Sequence, residues 1–364
     1  MENEIREPRL LDKLRSKIRL KGYSRSTESN YAYWVKRYII FHSKRHPADM
    51  DAKEVEAFLS SLVMRERASA STQNQALSAL LFLYKHVLLQ PLDSINSGMR
   101  AKRYDYIPTV LSIAEVQKLF SGLSGTLRLM AELTYGAGLR VSETLSLRIQ
   151  DIDFQNNRIL VRDGKGRKDR FTLLPKRLIK PLQHHLVKVK AQHVNDLARG
   201  HGASVLPNAY AKRMTHARKE FIWQFVFPSQ KLFHDKTTGV SGRWHVHKST
   251  LQRAIQLAAR STSIQKRVTV HTLRLSFATH LLQNGCDVRR IQILMGHTHI
   301  NTTMIYAHIL DGQQLAVASP LDSHDGFNVL APRDSMENHA RHESFAVSPS
   351  RTSRSRRWHS RARH

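Results

Sequence analysis

Apolar residues recur every three or four positions through most of the segments outside the linker, the insertion and the tail, and one stretch, 158–174, switches to a period of two. The first pattern buries one stripe of a helix and the second one face of a strand. The expected fold is therefore mainly α with a small β-sheet. Tyr31, Trp34, Val35, Tyr38 and Ile39 fall on one helical stripe, and Leu77, Leu80, Leu81, Tyr84 and Leu88 on another that Pro91 is predicted to stop. Asp51 followed three positions later by Glu54 reads as a capping box opening a helix from Ala52 to about Arg65. Residues 1–92 thus read as a bundle of four helices. Their polar faces carry Lys21, Arg25, Lys36, Arg37, Lys44 and Arg45, all able to hold phosphates.

Periodicity lapses over 93–110, a basic linker rich in Ser, Asn, Arg and Lys. Ser112 and Glu115 make a second capping box, which opens a second unit over 111–318. A helix through Leu127, Met130 and Leu133 leads to Tyr135-Gly-Ala-Gly-Leu-Arg140, where two glycines are predicted to turn the chain and project Arg140 before a helix near Ser142. The two predicted strands run from Arg158 to Arg162 and from Arg170 to Leu174, with Asp163-Gly-Lys165-Gly as the connection that projects Lys165. A basic helix is expected from Pro181 to Leu197. An insertion at 201–248 follows, with a helix expected from Ala211 to Phe221 and with Trp223, Trp244 and His245 beyond it.

The richest chemistry lies near the end. Leu273, Phe277, Leu281 and Leu282 predict a helix that brings His271 and Arg274 to one face and stops at Gly285. Val288, Ile291, Leu294 and Met295 predict another, after which Gly296 presents His297. Asn301, Thr302 and Thr303 are N-cap candidates for a last helix carrying Tyr306. An imidazole and a guanidinium on one face, a second imidazole and a phenol describe a phosphate clamp with a nucleophile beside it. A phenol titrates near about 10, so it attacks at neutral pH only where its developing charge is stabilised.

Lys and Arg number 58 against 29 acidic residues, a net charge of +29 that calls for a polyanionic partner, nucleic acid before any other. The segment from His339 to His364 contributes +6 of this and, lacking sustained apolar periodicity, is expected with the rest of 319–364 to be a disordered basic tail. The charge argument survives its removal. One cysteine, Cys286, allows no internal disulfide, and neither a signal peptide nor a membrane-length apolar run is evident, so a cytoplasmic protein is expected. A two-metal nuclease needs converging carboxylates, and from Val268 to Tyr306 only Asp287 is acidic, so no metal and no cofactor is expected.

The set His271-Thr-Leu-Arg274, Leu-Met-Gly-His297 and Thr-Thr-Met-Ile-Tyr306 resembles the C-terminal signature of the tyrosine recombinases, over a similarity running from about Leu10 to about Asp322. The resemblance implies an N-terminal helical core-binding, SAM-like domain and an α+β catalytic domain that close as a clamp on DNA. It implies catalytic roles for Arg140, Lys165, His271, Arg274, His297 and Tyr306, with Lys168 competing with Lys165 as the general acid. The insertion resembles the segment that sets integron integrases apart, and this implies stacking of extruded bases on Trp223, Trp244 and His245. For Trp223, packing is the rival reading. The family usually has a His pair where this chain has Trp244-His245, and Leu275 stands where relatives commonly place a second His. Implied partners are double-stranded attachment sites and folded single-stranded cassette sites, held by a homotetramer on DNA. Three functions follow: an integron-type or generic phage-type recombinase; a DNA-binding architectural or regulatory protein; a type IB topoisomerase-like enzyme.

Overall fold

The computed structural model describes residues 9–92, 100–102, 108–162, 169–206, 216–235 and 239–304. Helices α1 (Leu10–Leu20), α2 (Arg25–Phe41), α3 (Ala52–Met64) and α4 (Ala70–Leu83) enclose one apolar core. Each of the last three starts where a side chain satisfies a free backbone amide: Ser24 takes that of Thr27, Ser69 that of Thr72, and Asp51 that of Lys53. Within the core the Tyr38 and Tyr84 hydroxyls pair at 2.9 Å, and Tyr84 donates to the Met50 carbonyl at 3.2 Å. A buried phenol needs such partners. The last helix does not run on to Pro91 as expected. It widens into a π turn over Tyr84–Leu88 and ends at Leu89, whose φ of 57° breaks the helix before proline is reached.

A second core gathers α5 (Ile113–Ser121), α6 (Gly125–Ala137), α7 (Val141–Ser146), a three-stranded antiparallel sheet and the helices beyond it. The sheet order is β1 (Ile152–Asp153), β2 (Arg158–Val161), β3 (Arg170–Leu173), with Ile159 opposite Thr172. Strand β1, two residues long, was too short to show a period. Helix α8 (Ile179–Ala198) follows, then a hairpin of β4 (Pro228–His234) and β5 (Ser241–His245), then α9 (Lys248–Ser261), α10 (Val270–Gln283) and α11 (Val288–Met295). Among the described residues no helix is long and apolar enough to cross a membrane.

Three local expectations are corrected. Only Gly138 of the glycine pair makes the turn, with φ 61°, while Gly136 stays inside α6 and leaves room for the Pro175 ring where a side chain would stand. The described part of the helix expected from Ala211 to Phe221 is a short 3-10 turn, His216–Lys219, set against buried Trp223. Asn301, Thr302 and Thr303 lie within the helical turn at 301–304 instead of capping it. The Thr303 amide bonds the Ile300 carbonyl, and its hydroxyl turns to His297.

Candidate active site

Helix α10 opens with reciprocal bonds between Thr269 and Thr272: the Thr272 amide donates to the Thr269 hydroxyl at 3.2 Å, and the Thr269 amide to the Thr272 hydroxyl at 3.1 Å. This fixes the phase of the first turn, hence of His271 and Arg274. The two differ sharply in setting. His271 reaches the surface with its ring partly shielded, whereas Arg274 is 1% exposed and is the largest fully buried side chain described.

A buried guanidinium has to spend its donors on acceptors. Arg274 donates from Nη1 to the Gly138 carbonyl and from Nη2 to the Met295 carbonyl, with the Glu143 carboxylate 3.6 Å away. Arg140, the residue before α7, extends Nη1 to Glu143 Oε1 at 2.7 Å and Nη2 toward the Gly296 carbonyl at 3.4 Å. From β3, Arg170 grips the same carboxylate with both Nη atoms, at 2.9 and 2.7 Å, and gives Nε to the Leu294 carbonyl at 2.8 Å. Three successive carbonyls at the end of α11 (294, 295, 296) therefore each receive one arginine, and all three arginines surround Glu143. The free carbonyls and dipole of a helix C-terminus attract cations, and the buried carboxylate adds a full charge. Burial alone would raise the Glu143 pKa. Arg170 first, with the amide and side chain of Arg140, overcomes this and holds it at about 2.

Gly296, with φ 62°, reverses the chain at the end of α11 and delivers His297. Its Nε2 lies 3.3 Å from Arg274 Nη2, and its Nδ1 pairs with the Thr303 hydroxyl at 3.0 Å. The His271 pKa is pushed below the usual imidazole range, by loss of solvent around the ring first and then by Arg274 and Arg140. Between Arg140 and His271 opens a cavity of about 400 Å³, lined also by Ser142, Gln252 and Thr269. Arg140, His271, Arg274 and His297 are thus brought together from the start of α7, from α10 and from the turn after α11. Lys165, with its competitor Lys168, and Tyr306 lie outside the described residues, as does the 319–364 tail.

Glu143 and Arg170 were not singled out from sequence. Glu143 carried a faint signal, three residues after Arg140 at a helix start, the spacing of a capping carboxylate. Arg170 looked like one more basic residue of a strand. Leu275 is 8% exposed and packs with Phe277, Ala278, Ile291 and Met295, while Arg274 finds its polar partners in the Gly138 and Met295 carbonyls, Glu143 and His297.

The insertion carries a second cluster. Trp223, expected as a stacking partner, is instead 6% exposed and packed with Leu206 and Ala217, so its faces are already covered. Packing wins there. Trp244 is 44% exposed on β5, its ring 5.6 Å from that of Phe225 and 5.4 Å from that of His245. The His245 Nδ1 donates to the Val246 carbonyl at 2.7 Å, and burial lowers its pKa. Beneath them Arg148 lies 4.5 Å from the Phe225 ring and bonds Ser204, Val205 and Trp223, its pKa lowered to about 10 by burial. An Arg243–Asp196 pair at 2.5 Å fastens β5 to α8.

Residues 10–94 match the family model described as Phage integrase, N-terminal SAM-like domain, and residues 108–313 match that of the Phage integrase family. An Escherichia coli protein named Integrase/recombinase is 42% identical over 88% of this chain and 95% of its own length. Tyrosine recombinase XerA of Thermococcus onnurineus is 29% identical over 82% of this chain and 90% of its own. Among solved structures, XerH site-specific recombinase bound to palindromic difH substrate aligns with a TM-score of 0.56 at 21% identity, covering 83% of this chain and 82% of that one. A lambda integrase dimer bound to a COC' core site aligns with a TM-score of 0.55 at 17% identity, covering 82% and 93%.

Proposed function

The chain belongs to the phage integrase family and is a tyrosine-type site-specific recombinase, and on that premise we propose that it integrates and excises gene cassettes at integron attachment sites. In this reading Tyr306 attacks a DNA phosphodiester, and Arg140 and Arg274 neutralise the charge that gathers on the two non-bridging oxygens. His271 and His297 hydrogen-bond the same oxygens, and neutral His271 takes up the phenolic proton. Lys165 protonates the departing 5′ oxygen. The 3′-phosphotyrosyl link keeps the energy of the ester bond, so a 5′-hydroxyl of another strand reseals the DNA without a cofactor.

One observation carries the chemistry: Arg140 and His271 line one cavity of about 400 Å³, while Arg274, on the helix of His271, contacts His297 at 3.3 Å and shares Glu143 with Arg140. The sequence excess of 58 basic over 29 acidic residues supports DNA as partner. Residues 1–92 and 111–318 would grip the duplex from two sides, joined by 93–110, with four copies on paired sites. For cassette sites folded from single strands the support is the exposed Trp244 beside His245, an aromatic shelf that every base can stack on.

The test is covalent trapping on a nicked cassette-site hairpin. The wild-type chain is expected to yield a protein–DNA adduct, and Tyr306→Phe to bind the hairpin without one. Adduct formation by the Phe variant would remove Tyr306 from the reaction. Relaxation of supercoils with no exchange between two attachment sites would point to a topoisomerase-like enzyme, and binding without any adduct to an architectural protein.

A further inference from the structure

We infer that Arg170 is a positioning residue for strand cleavage: it ties the Glu143 carboxylate to the end of α11 and so fixes where Arg140 and His297 stand. The inference rests on the roles proposed above for those two residues.

The Arg170 side chain is 8% exposed, and each of its three nitrogens has a protein acceptor: Nη1 and Nη2 on Glu143, Nε on the Leu294 carbonyl. Three of its five N–H groups are taken by Glu143 and the Leu294 carbonyl, and it is through those partners that it acts on the reaction. Glu143 holds Arg140 twice, at the backbone amide (2.8 Å) and at Nη1 (2.7 Å). Leu294 lies three residues before His297, and at the intervening Gly296 a side-chain carbon would stand 2.8 Å from Arg170 Cδ. The arginine stem thus forms the floor over which the chain turns to present the imidazole.

Loss of the fork has two geometric consequences. Glu143 keeps a negative charge with Arg140 and Arg274 as its remaining cationic neighbours among the described residues, and draws their guanidiniums toward itself. The Leu294 carbonyl loses its partner, which loosens the last turn of α11 just before His297. A lysine cannot substitute, because one ammonium cannot span a carboxylate edge and a carbonyl together with planar geometry.

The experiment uses the full chain as wild type, Arg170→Lys and Arg170→Met, with Arg158→Lys, an exposed pair on β2, as control. In DNA-free, histidine-labelled protein, both Arg170 variants are expected to shift the NMR signals of His297 and to leave those of His185 on α8 in place. On the nicked cassette-site hairpin, Arg170→Lys is expected to slow adduct formation about 100-fold while affinity for the hairpin stays within about twofold. The double variant Arg170→Met with Glu143→Gln is expected to be no slower than the worse single one, since the two act as a unit. Unmoved His297 signals, or wild-type cleavage by Arg170→Lys, overturn the inference. If the wild-type chain forms no adduct, the proposed function is what fails, and the histidine signals still decide the role of Arg170.

Discussion

Arg274 Nη2 stands 3.3 Å from His297 Nε2, and this contact fixes the state of the imidazole. A guanidinium only donates, so Nε2 accepts, and the ring proton resides on Nδ1, where it is given to the Thr303 hydroxyl 3.0 Å away. In the DNA-free protein the pair is therefore turned inward.

The depressed His271 pKa gives a signed expectation. The unfolded chain takes up this proton near the ordinary value of about 6.5, whereas the folded chain, crowded and facing Arg274 and Arg140, takes it up only at lower pH. The group's contribution to stability is thus constant above that range and is lost as pH falls toward the folded pKa. Urea midpoints measured from about pH 7 down to about pH 5 are expected to fall less steeply in His271→Gln than in wild type. Equal slopes would mean that His271 is not the group responsible.

Glu143→Gln keeps the shape of the site and removes the charge at its centre. With three guanidiniums facing it, a loss of about 3–5 kcal/mol is expected at neutral pH. The wild-type carboxylate is held at about 2, so its stabilisation is complete above the ordinary range near 4.5 and is lost as pH falls through about 2. The gap between the two proteins in urea unfolding must narrow on acidification; a constant gap would assign the loss to packing.

Two glycines with positive φ separate strain from space. Gly138 has φ 61° and faces the Phe277 ring, while Gly125 has φ 55° with nothing near it. Gly138→Ala is expected to cost about 3 kcal/mol, strain plus overpacking, and Gly125→Ala about 1 kcal/mol, strain alone. Thermal unfolding of both variants checks the order, and it also probes the turn that places Arg140.

In the insertion, stability and binding should part company. Trp223→Ala empties a packed site and is expected to cost about 3 kcal/mol of stability. Trp244→Ala, at an exposed position, should leave stability nearly unchanged and weaken binding of folded single strands by about 1–3 kcal/mol, with plain duplex little affected. Equal losses on both DNAs would make Trp244 a general contact instead of a base shelf.

The helix starts at Asp51–Glu54 and Ser112–Glu115, the turn at Gly138 and the hairpin strands were legible in the sequence because caps, turns and pleats are settled by residues a few positions apart. The same locality marked His271 and Arg274 as neighbours on one helix. It could not separate Trp223 from Trp244, since burial depends on what the rest of the chain lays over each ring. Sequence alone thus determined which donors the protein possesses and on which local element each one rides. Only the tertiary structure decided that Arg140, Arg170 and Arg274, spread over 134 residues, share one carboxylate and one helix end. That meeting depends on β3 packing against α11 and α10 against α6, long-range contacts whose energy no short window of residues contains.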